Sequence, residues 1–301
     1  MKLINSSAEI LYDINPYKHI EKIGRICYKS ENLITEDSCY KFVDRLVRAK
    51  HFAILEHARI EFIIEDFEQY NINIEDIIHI PALHFKSLGT SLNTVNLNIS
   101  MSHLYNPKWS KYPDVFHLFQ ILKNVVESEF KPDIDYIRPS NIKFIQETSY
   151  EIQASHLTMK FIVDRGISHE LVRHRCAAAQ SSTRYCDYSK DKFGSEITFV
   201  KPSEYDSWTG QVKTMFDESM QQAENTYLWL VTKGKLTPEI ARSWLPHALM
   251  TEVVLTMDVD QWNHFFDLRL YGTTGKPHPD MEDVCKKAKI LFDEATNLSF
   301  I

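Results

Sequence analysis

The feature that most constrains this chain is a change of hydrophobic period between Thr35 and Ile64. From Thr35 to Lys50 the apolar residues Cys39, Phe42, Val43, Leu46 and Val47 recur at the spacing of an amphipathic helix, with Thr35 placed as its N-cap. From Ala58 to Ile64 the apolar Ala58, Ile60, Phe62 and Ile64 alternate with polar positions such as Arg59 and Glu61. That period of two puts one face of a strand against a core. A chain that does both in so short a span is neither all helix nor all sheet.

The same two periods return further on. Thr158–Val163, Glu196–Val200 and Thr251–Met257 read as strands, and Pro113–Phe130 reads as a helix. A long helix is expected from Ser207 to Lys233, with Trp208, Val212, Met215, Phe216, Met220, Ala223, Tyr227 and Val231 on its apolar face and Gly234 as its stop. Arg165-Gly166 reads as a turn, and Ser168 as the N-cap of a short helix that ends in Arg173-His174-Arg175. Thr237-Pro238-Glu239 starts another short helix that Pro246 ends, and Asp260 opens an amphipathic helix through Trp262, Phe265, Phe266 and Leu268. The stretch from Glu68 to Ser149 is less regular and separates well-patterned segments. The expectation is an α+β fold in one elaborated domain, residues 1–301, with 67–153 an insertion or elaboration within it.

Composition narrows the function classes. With 301 residues, 44% hydrophobic and 25% charged, the chain is an ordinary globular one. Its net charge of -7 gives no global positive field, so neither nucleic acid nor an anionic membrane is expected as a partner. Five cysteines without a C-x-x-C pair argue against a disulfide framework or a zinc ribbon and suit a reducing cytoplasm. Charge and proline interrupt the first twenty residues before any signal-peptide core, and nowhere is there an apolar run of about 18 residues. A soluble protein is expected. The histidines lack metal-ligand spacing, and no metal is expected.

The densest polar segment is Arg173 to Tyr185, RHRCAAAQSSTRY. Arginine forks followed by a hydroxyl-rich turn suit a phosphate, since guanidinium, hydroxyl and backbone donors converge at short range. The plainer alternative is cations closing a helix C-terminus, where the macrodipole favours them by ~0.3–1 kcal/mol each. Two more arginines stand in apolar surroundings, Arg242 in EIARSWLP and Arg269 at the end of WNHFFDLR. Arg269 follows Phe266 and Phe265 by three and four residues, on the face expected to be buried. A lone guanidinium there is costly without a polar or anionic partner.

This segment resembles the signature of the flavin-dependent thymidylate synthases, in which Arg-His-Arg is followed by seven residues, a Ser and shortly afterwards Arg-Tyr. Ile23–Ser30 (IGRICYKS) resembles that family's early Ala-Arg-x-Cys-Tyr-x-Ser, Leu55-Glu56-His57 its Glu-His before a strand, and Ser168–Arg175 (SHELVRHR) the helix that presents the signature. Ala241-Arg242 with Leu245-Pro246, Thr251-Glu252 and Leu268-Arg269 follow in the family's order. The resemblance covers about Ile23–Glu65 and Thr158–Asp280.

The resemblance implies a mostly antiparallel central sheet flanked by helices. It also implies reductive methylation of dUMP to dTMP, with methylenetetrahydrofolate as carbon donor, FAD as cofactor and NADPH as reductant. Arg173, His174 and Arg175 would hold FAD, joined by His57, His264, Asp258 and Asp260, and by Arg59, whose guanidinium either replaces or blocks a phosphate contact. Glu170, Arg173, Gln180, Ser181, Ser182, Thr183, Arg184 and Arg242 would bind dUMP, Arg242 from another subunit of a homotetramer. Arg269 would face the uracil ring and, with Ser182, act in catalysis. No protein nucleophile is implied, and Cys176 and Cys186 read as small buried thiols.

The chain departs from the pattern in one place. Only six residues, Cys176 to Ser181, separate Arg175 from Ser182, and Ser181 stands where the family has an acidic residue. That departure keeps open another C5 modification of dUMP or a related pyrimidine nucleotide, such as hydroxymethylation; a further alternative is a non-catalytic nucleotide- or RNA-binding protein that uses Arg-His-Arg as a phosphate grip, although the acidic net charge argues against RNA.

Overall fold

The computed structural model describes residues 1–80, 83–87, 93–131, 134, 136–145, 156–190 and 196–297. Its strands are β1 (Lys2–Ile4), β2 (Ser7–Ile10), β3 (Arg59–Glu65), β4 (Leu83–Ser87), β5 (Thr94–Ser100), β6 (Ile142–Ile145), β7 (His156–Asp164), β8 (Ala177–Gln180), β9 (Thr198–Val200) and β10 (Met250–Asp258). Its helices are α1 (Pro16–Ile26), α2 (Ser38–Arg48), α3 (Phe52–Leu55), α4 (Ile74–Ile78), α5 (Met101–Tyr105), α6 (Pro113–Phe130), α7 (Arg165–Leu171), α8 (Gly210–Thr232), α9 (Pro238–Ala241), α10 (Val259–Arg269) and α11 (Pro279–Asn297). No helix among the described residues is long and apolar enough to cross a membrane.

The chain divides into two compact units, one made of Met1–Leu11, Arg25–Glu31 and Ala154–Ile301, the other of Tyr12–Gly24 and Asn32–Gln153. Residues 67–153 thus belong to the second unit along with the helix and strand that precede them. Antiparallel pairing dominates, as expected for an α+β chain, but the strands form two four-stranded sheets and a small parallel pair, β1 with β9.

In the first unit the order is β2-β7-β10-β8. β10 pairs with β7 along its full length, from Met250 opposite Asp164 to Asp258 opposite His156, and with β8 from Val253 opposite Gln180 to Thr256 opposite Ala177. Flanked on both edges, β10 is buried on both faces from Thr251 to Met257, which its near-continuous apolar sequence permits. Val253, Leu255 and Met257 face a core with Phe161, with Trp262, Phe265 and Phe266 of α10, and with Val284, Cys285 and Phe292 of α11. In the second unit the order is β4-β5-β3-β6. The alternation read in the sequence holds: Ile60, Phe62 and Ile64 of β3 are buried and pack with Leu118, Phe119 and Leu122 of α6.

Two helix starts and one helix face differ from the sequence reading. α2 begins after Asp37, not Thr35, because the Ser38 hydroxyl accepts the Thr35 N–H and donates to Glu21. α7 begins at Arg165 rather than after Ser168: the Asp164 carboxylate at the end of β7 accepts the Ile167 N–H at 2.9 Å, so Arg165-Gly166 is the first helical turn. Ser168 is buried inside the helix, its hydroxyl donating to the Arg165 carbonyl. On α8, Met220 and Tyr227 are buried as expected while Val212 and Met215 are 47% and 62% exposed. The core that α8 covers, with Ile197, Phe199, Ala241 and Leu249 among its buried members, lies under the later turns.

Because Asp164 is the cap of the helix that leads into Arg173-His174-Arg175, Asp164→Ala should cost about 0.5–2 kcal/mol of stability. In urea the midpoint should fall with the slope unchanged; an unchanged midpoint would rule out the capping role.

Candidate active site

The site is assembled where β7 hands over to α7 and where α10 ends. α7 carries Glu170 in its last turn, and the five residues between α7 and β8 carry Arg173, His174 and Arg175. α10 starts on a capping box in which the Asp258 side chain accepts the Gln261 N–H at 2.7 Å and the Gln261 side chain accepts the Asp258 N–H at 3.0 Å. The Gln261 amide also donates to the Arg175 carbonyl at 3.2 Å, which ties the start of α10 to the Arg-His-Arg turn. The other end of α10 carries Arg269.

Arg269 has found the partners its position demanded. Its Nη1 donates to Glu170 Oε2 at 2.8 Å and its Nε to His174 Nε2 at 3.1 Å. The pair is largely sheltered, with side-chain exposures of 18% for Arg269 and 29% for Glu170. The bond from Arg269 makes Nε2 of His174 an acceptor and leaves Nδ1 as the protonated nitrogen of the neutral ring. The ring lies 4.9 Å from that of Phe265. Burial, then the charge of Arg269, then His264 push the His174 pKa down to about 4.

This shift has a definite sign for stability. The unfolded chain takes up a proton near the ordinary value of 6.5 and the folded chain only near about 4, so the neutral ring stabilises the fold fully above 6.5 and loses that contribution as pH falls through 4. Thermal unfolding midpoints should therefore decline between pH 6.5 and 4, and less steeply in His174→Asn. Equal slopes in the two proteins would refute the assignment.

Glu170 and Arg269 line a cavity of about 550 Å³, together with Leu268 and the loop 274–279. Arg173 and Arg175 are exposed on either side of His174, as are His264 and Asp260 on α10. Asp258 is engaged by the helix cap.

The rest of the expected nucleotide residues gather around the turn after β8. The Gln180 amide donates to Ser168 Oγ and Thr251 Oγ1. The Ser181 N–H donates to the Glu252 carbonyl at 2.9 Å, and its hydroxyl accepts the Glu252 N–H at 3.1 Å. A side chain thus completes the ladder where β8 stops. Ser182 donates its N–H to the Cys27 carbonyl at 2.8 Å, and its hydroxyl accepts the N–H groups of Arg184 and Tyr185 at 3.2 and 3.4 Å. The hydroxyl shapes the turn. Buried Thr183 accepts from Arg242 Nη1 at 3.1 Å.

Arg184 pairs with Glu239 at 2.8 Å, with both side chains about half exposed, so the pair itself adds little stability. Its guanidinium also lies 5.3 Å from the centre of the Tyr185 ring, which packs against Tyr28 at 5.7 Å.

His57 and Arg59 belong to the second unit. His57 is 1% exposed, and burial pushes its pKa down to about 3; Arg59 Nε donates to Asn98 Oδ1 at 3.1 Å. Three residues near the expected ones escaped the sequence reading. Glu239 passed as a helix-start acid, and Lys276 and His278 lie in the Gly- and Pro-rich connection after α10, which has no hydrophobic period to mark them.

Comparison with known proteins finds relatives for the part of the chain that carries these residues. Residues 141–295 match the family model described as thymidylate synthase complementing protein. A flavin-dependent thymidylate synthase of Geobacter sulfurreducens is 37% identical over 108 residues, 36% of this chain and 44% of that protein. One from Thermococcus onnurineus is 34% identical over 131 residues, 40% of this chain and 49% of that protein. The chain spans about half the length of the curated relatives it matches. Among solved structures, a UMP/dUMP methylase, PolB, from Streptomyces cacaoi aligns over 99% of this chain and 95% of its own at 14% identity, with a TM-score of 0.42. The family match takes in the Arg-His-Arg turn, the shortened signature, Arg242 and Arg269, and it covers just over half of the 301 residues: this chain belongs to the thymidylate synthase complementing protein family.

Proposed function

We propose that the protein methylates the uracil ring of dUMP at C5, with methylenetetrahydrofolate as carbon donor, FAD as cofactor and NADPH as its reductant. The observation that carries this reading is Arg269, a sheltered guanidinium held on a cavity wall by Glu170 and His174.

Two of the Arg269 N–H donors are engaged, and the rest are free to meet the imide edge of a pyrimidine. As C5 donates electrons to the one-carbon unit, negative charge moves off the imide oxygen; before that step a fixed cation beside the oxygen favours the electron-rich form of the ring. Glu170 fixes the plane of the fork. His174 is neutral at pH 7 and adds no second cation against Arg269. Cys176 is unsuited to act as a nucleophile, because burial pushes its thiol pKa up to about 12.

The residues present suit a flavin dinucleotide. Arg173 and Arg175 are exposed donors beside His174 and would take its phosphates, with His264 and Asp260 on the adjoining helix. Bound FAD would supply the reducing equivalents that turn the methylene group into a methyl. On this reading Arg184, Arg242 and the turn at Ser182 and Thr183 would bind the nucleotide, while the N–H groups of Ser181 and Ser182 are already donated to the Glu252 and Cys27 carbonyls. Arg242 would reach the site from another subunit of a homotetramer. All five cysteines are free, which suits a cytoplasmic protein.

The test is rescue of a thymidine-requiring strain, followed by product analysis with folate labelled in the transferred carbon. Labelled dTMP from purified, FAD-loaded protein supports the reading. A hydroxymethyl product would replace it with the altered C5 chemistry, and failure to retain flavin or nucleotide would overturn it.

A further inference from the structure

The connection between α10 and α11 is built to a fixed shape. Gly272 has φ +66°, and a Cβ there would come 2.7 Å from the Gly275 carbonyl oxygen and 2.8 Å from Pro277 Cδ, so the position requires glycine. Gly275 N–H donates to the Gly272 carbonyl at 3.0 Å, and Thr273 N–H to the Asp267 carbonyl at 3.1 Å. His278 Nδ1 accepts the Asp280 N–H at 3.2 Å, and the Asp280 carboxylate accepts the Ser203 N–H. A loop tied at both ends in this way forms a wall of the 550 Å³ cavity. Gly275 adds an open stretch of backbone to it, since a Cβ there would meet nothing within 4 Å.

The charges on that wall do not balance. Glu170 is the carboxylate of the lining, and it is already paired with Arg269. Lys276 also lines the cavity and makes no ion pair among the described residues. Of the nearest acids in sequence, the Asp280 carboxylate accepts the Ser203 N–H and has His278 Nδ1 at 3.8 Å from its other oxygen, and Glu282 pairs with Lys286 at 2.7 Å. The start of the 19-residue α11, at Pro279 on the same wall, adds partial positive charge. An unneutralised ammonium in a chain of net charge -7 marks this wall for an anion. The cavity volume falls within the ~300–1,000 Å³ of small-molecule sites, room for a ring at Arg269 and a charged group beyond it.

We propose that Lys276 binds a phosphate or carboxylate oxyanion of a ligand that enters the cavity beside Arg269 and Glu170. The proposed function supplies the two sources of that anion, the 5′-phosphate of dUMP and the glutamate carboxylates of the folate, and the inference rests on that reading for the ligand's identity.

Acylation of lysines in the full-length, FAD-loaded protein tests it, with exposed Lys41 on α2 as internal reference. The expected result is that Lys276 reacts at least about fivefold more slowly when its ligand is present, while Lys41 is unchanged. Protection by dUMP but not deoxyuridine assigns the phosphate; protection by tetrahydrofolate, stronger for the triglutamate, assigns the carboxylates. Lys276→Ala should raise KM for the protecting ligand about tenfold, and Lys276→Arg should restore most of it. Protection by neither ligand, or equal KM in Lys276→Ala and the parent, overturns the inference. Protection without dTMP formation would refute the methylation reading and leave the anion site standing, whereas dTMP formation with an unprotected, silent Lys276 would do the reverse.

Discussion

Arg269→Lys should lower turnover by at least about 100-fold, the scale on which losing one pre-placed charge-stabilising donor costs roughly 2.7–4 kcal/mol. Lysine keeps the charge and loses the geometry. The guanidinium now reaches Glu170 through Nη1 and His174 through Nε while still presenting donors to the cavity. A single ammonium on a flexible stem cannot hold all three directions at once. Folding should be little affected, because a cation remains beside Glu170. The measurement is dTMP formation by the purified variant, paired with its thermal midpoint and its failure to rescue a thymidine-requiring strain. Turnover within a few-fold of the parent, in a normally folded protein, would remove Arg269 from the chemistry.

Trp262→Ala should remove about 3–5 kcal/mol of stability, the range for deleting a large aromatic side chain from a core. Against a total of about 5–15 kcal/mol for a folded domain, that is a large fraction. Trp262 is fully buried, with ring centres 5.3 Å from Phe265, 5.9 Å from Phe266 and 6.2 Å from Phe161, and its indole N–H donates to the Leu157 carbonyl at 3.0 Å. Trp262→Phe should lose less, keeping most of the packing but leaving that carbonyl unpaired. Because α10 also carries Arg269, the alanine variant should lose activity at temperatures where Trp262→Phe retains it. Urea unfolding of the three proteins measures the order; a loss under 1 kcal/mol in Trp262→Ala would show that the core does not depend on this ring.

Much of the fold was legible because periodicity speaks for itself where one face is buried. The alternation at Ile60, Phe62 and Ile64 became β3, and the apolar run around Val253 became the doubly flanked β10. Helix starts were less legible, since capping is a competition between nearby side chains: Asp164 holds the N–H that would have marked Ser168 as a boundary. The apolar residues Val212 and Met215 carry the pattern of a buried face without being buried, because periodicity records amphipathicity and not what covers it. The division of the strands into two sheets depends on which strands pair, and a single sequence holds no record of that.

Within the site, the argument that a buried Arg269 requires a partner was sound, and Glu170 is that partner. The part played by the Ser182 hydroxyl in the turn could not be read, because spacing along a chain does not say whether a hydroxyl faces a ligand or its own backbone. Lys276 was missed for a related reason: glycines and prolines announce a bend but not the direction in which it aims the residues between them.

The placement of β10 between β7 and β8 has an evolutionary corollary. One neighbour leads into the Arg-His-Arg turn, the other ends at Gln180, and β10 itself runs into α10 and Arg269. Adding or removing a residue within β10 would invert the inward and outward sets along both ladders together and misalign every one of these groups at a stroke. Length drift in descendants of this protein should therefore accumulate past the ladder's ends, and hardly ever inside the strand that serves as their common ruler.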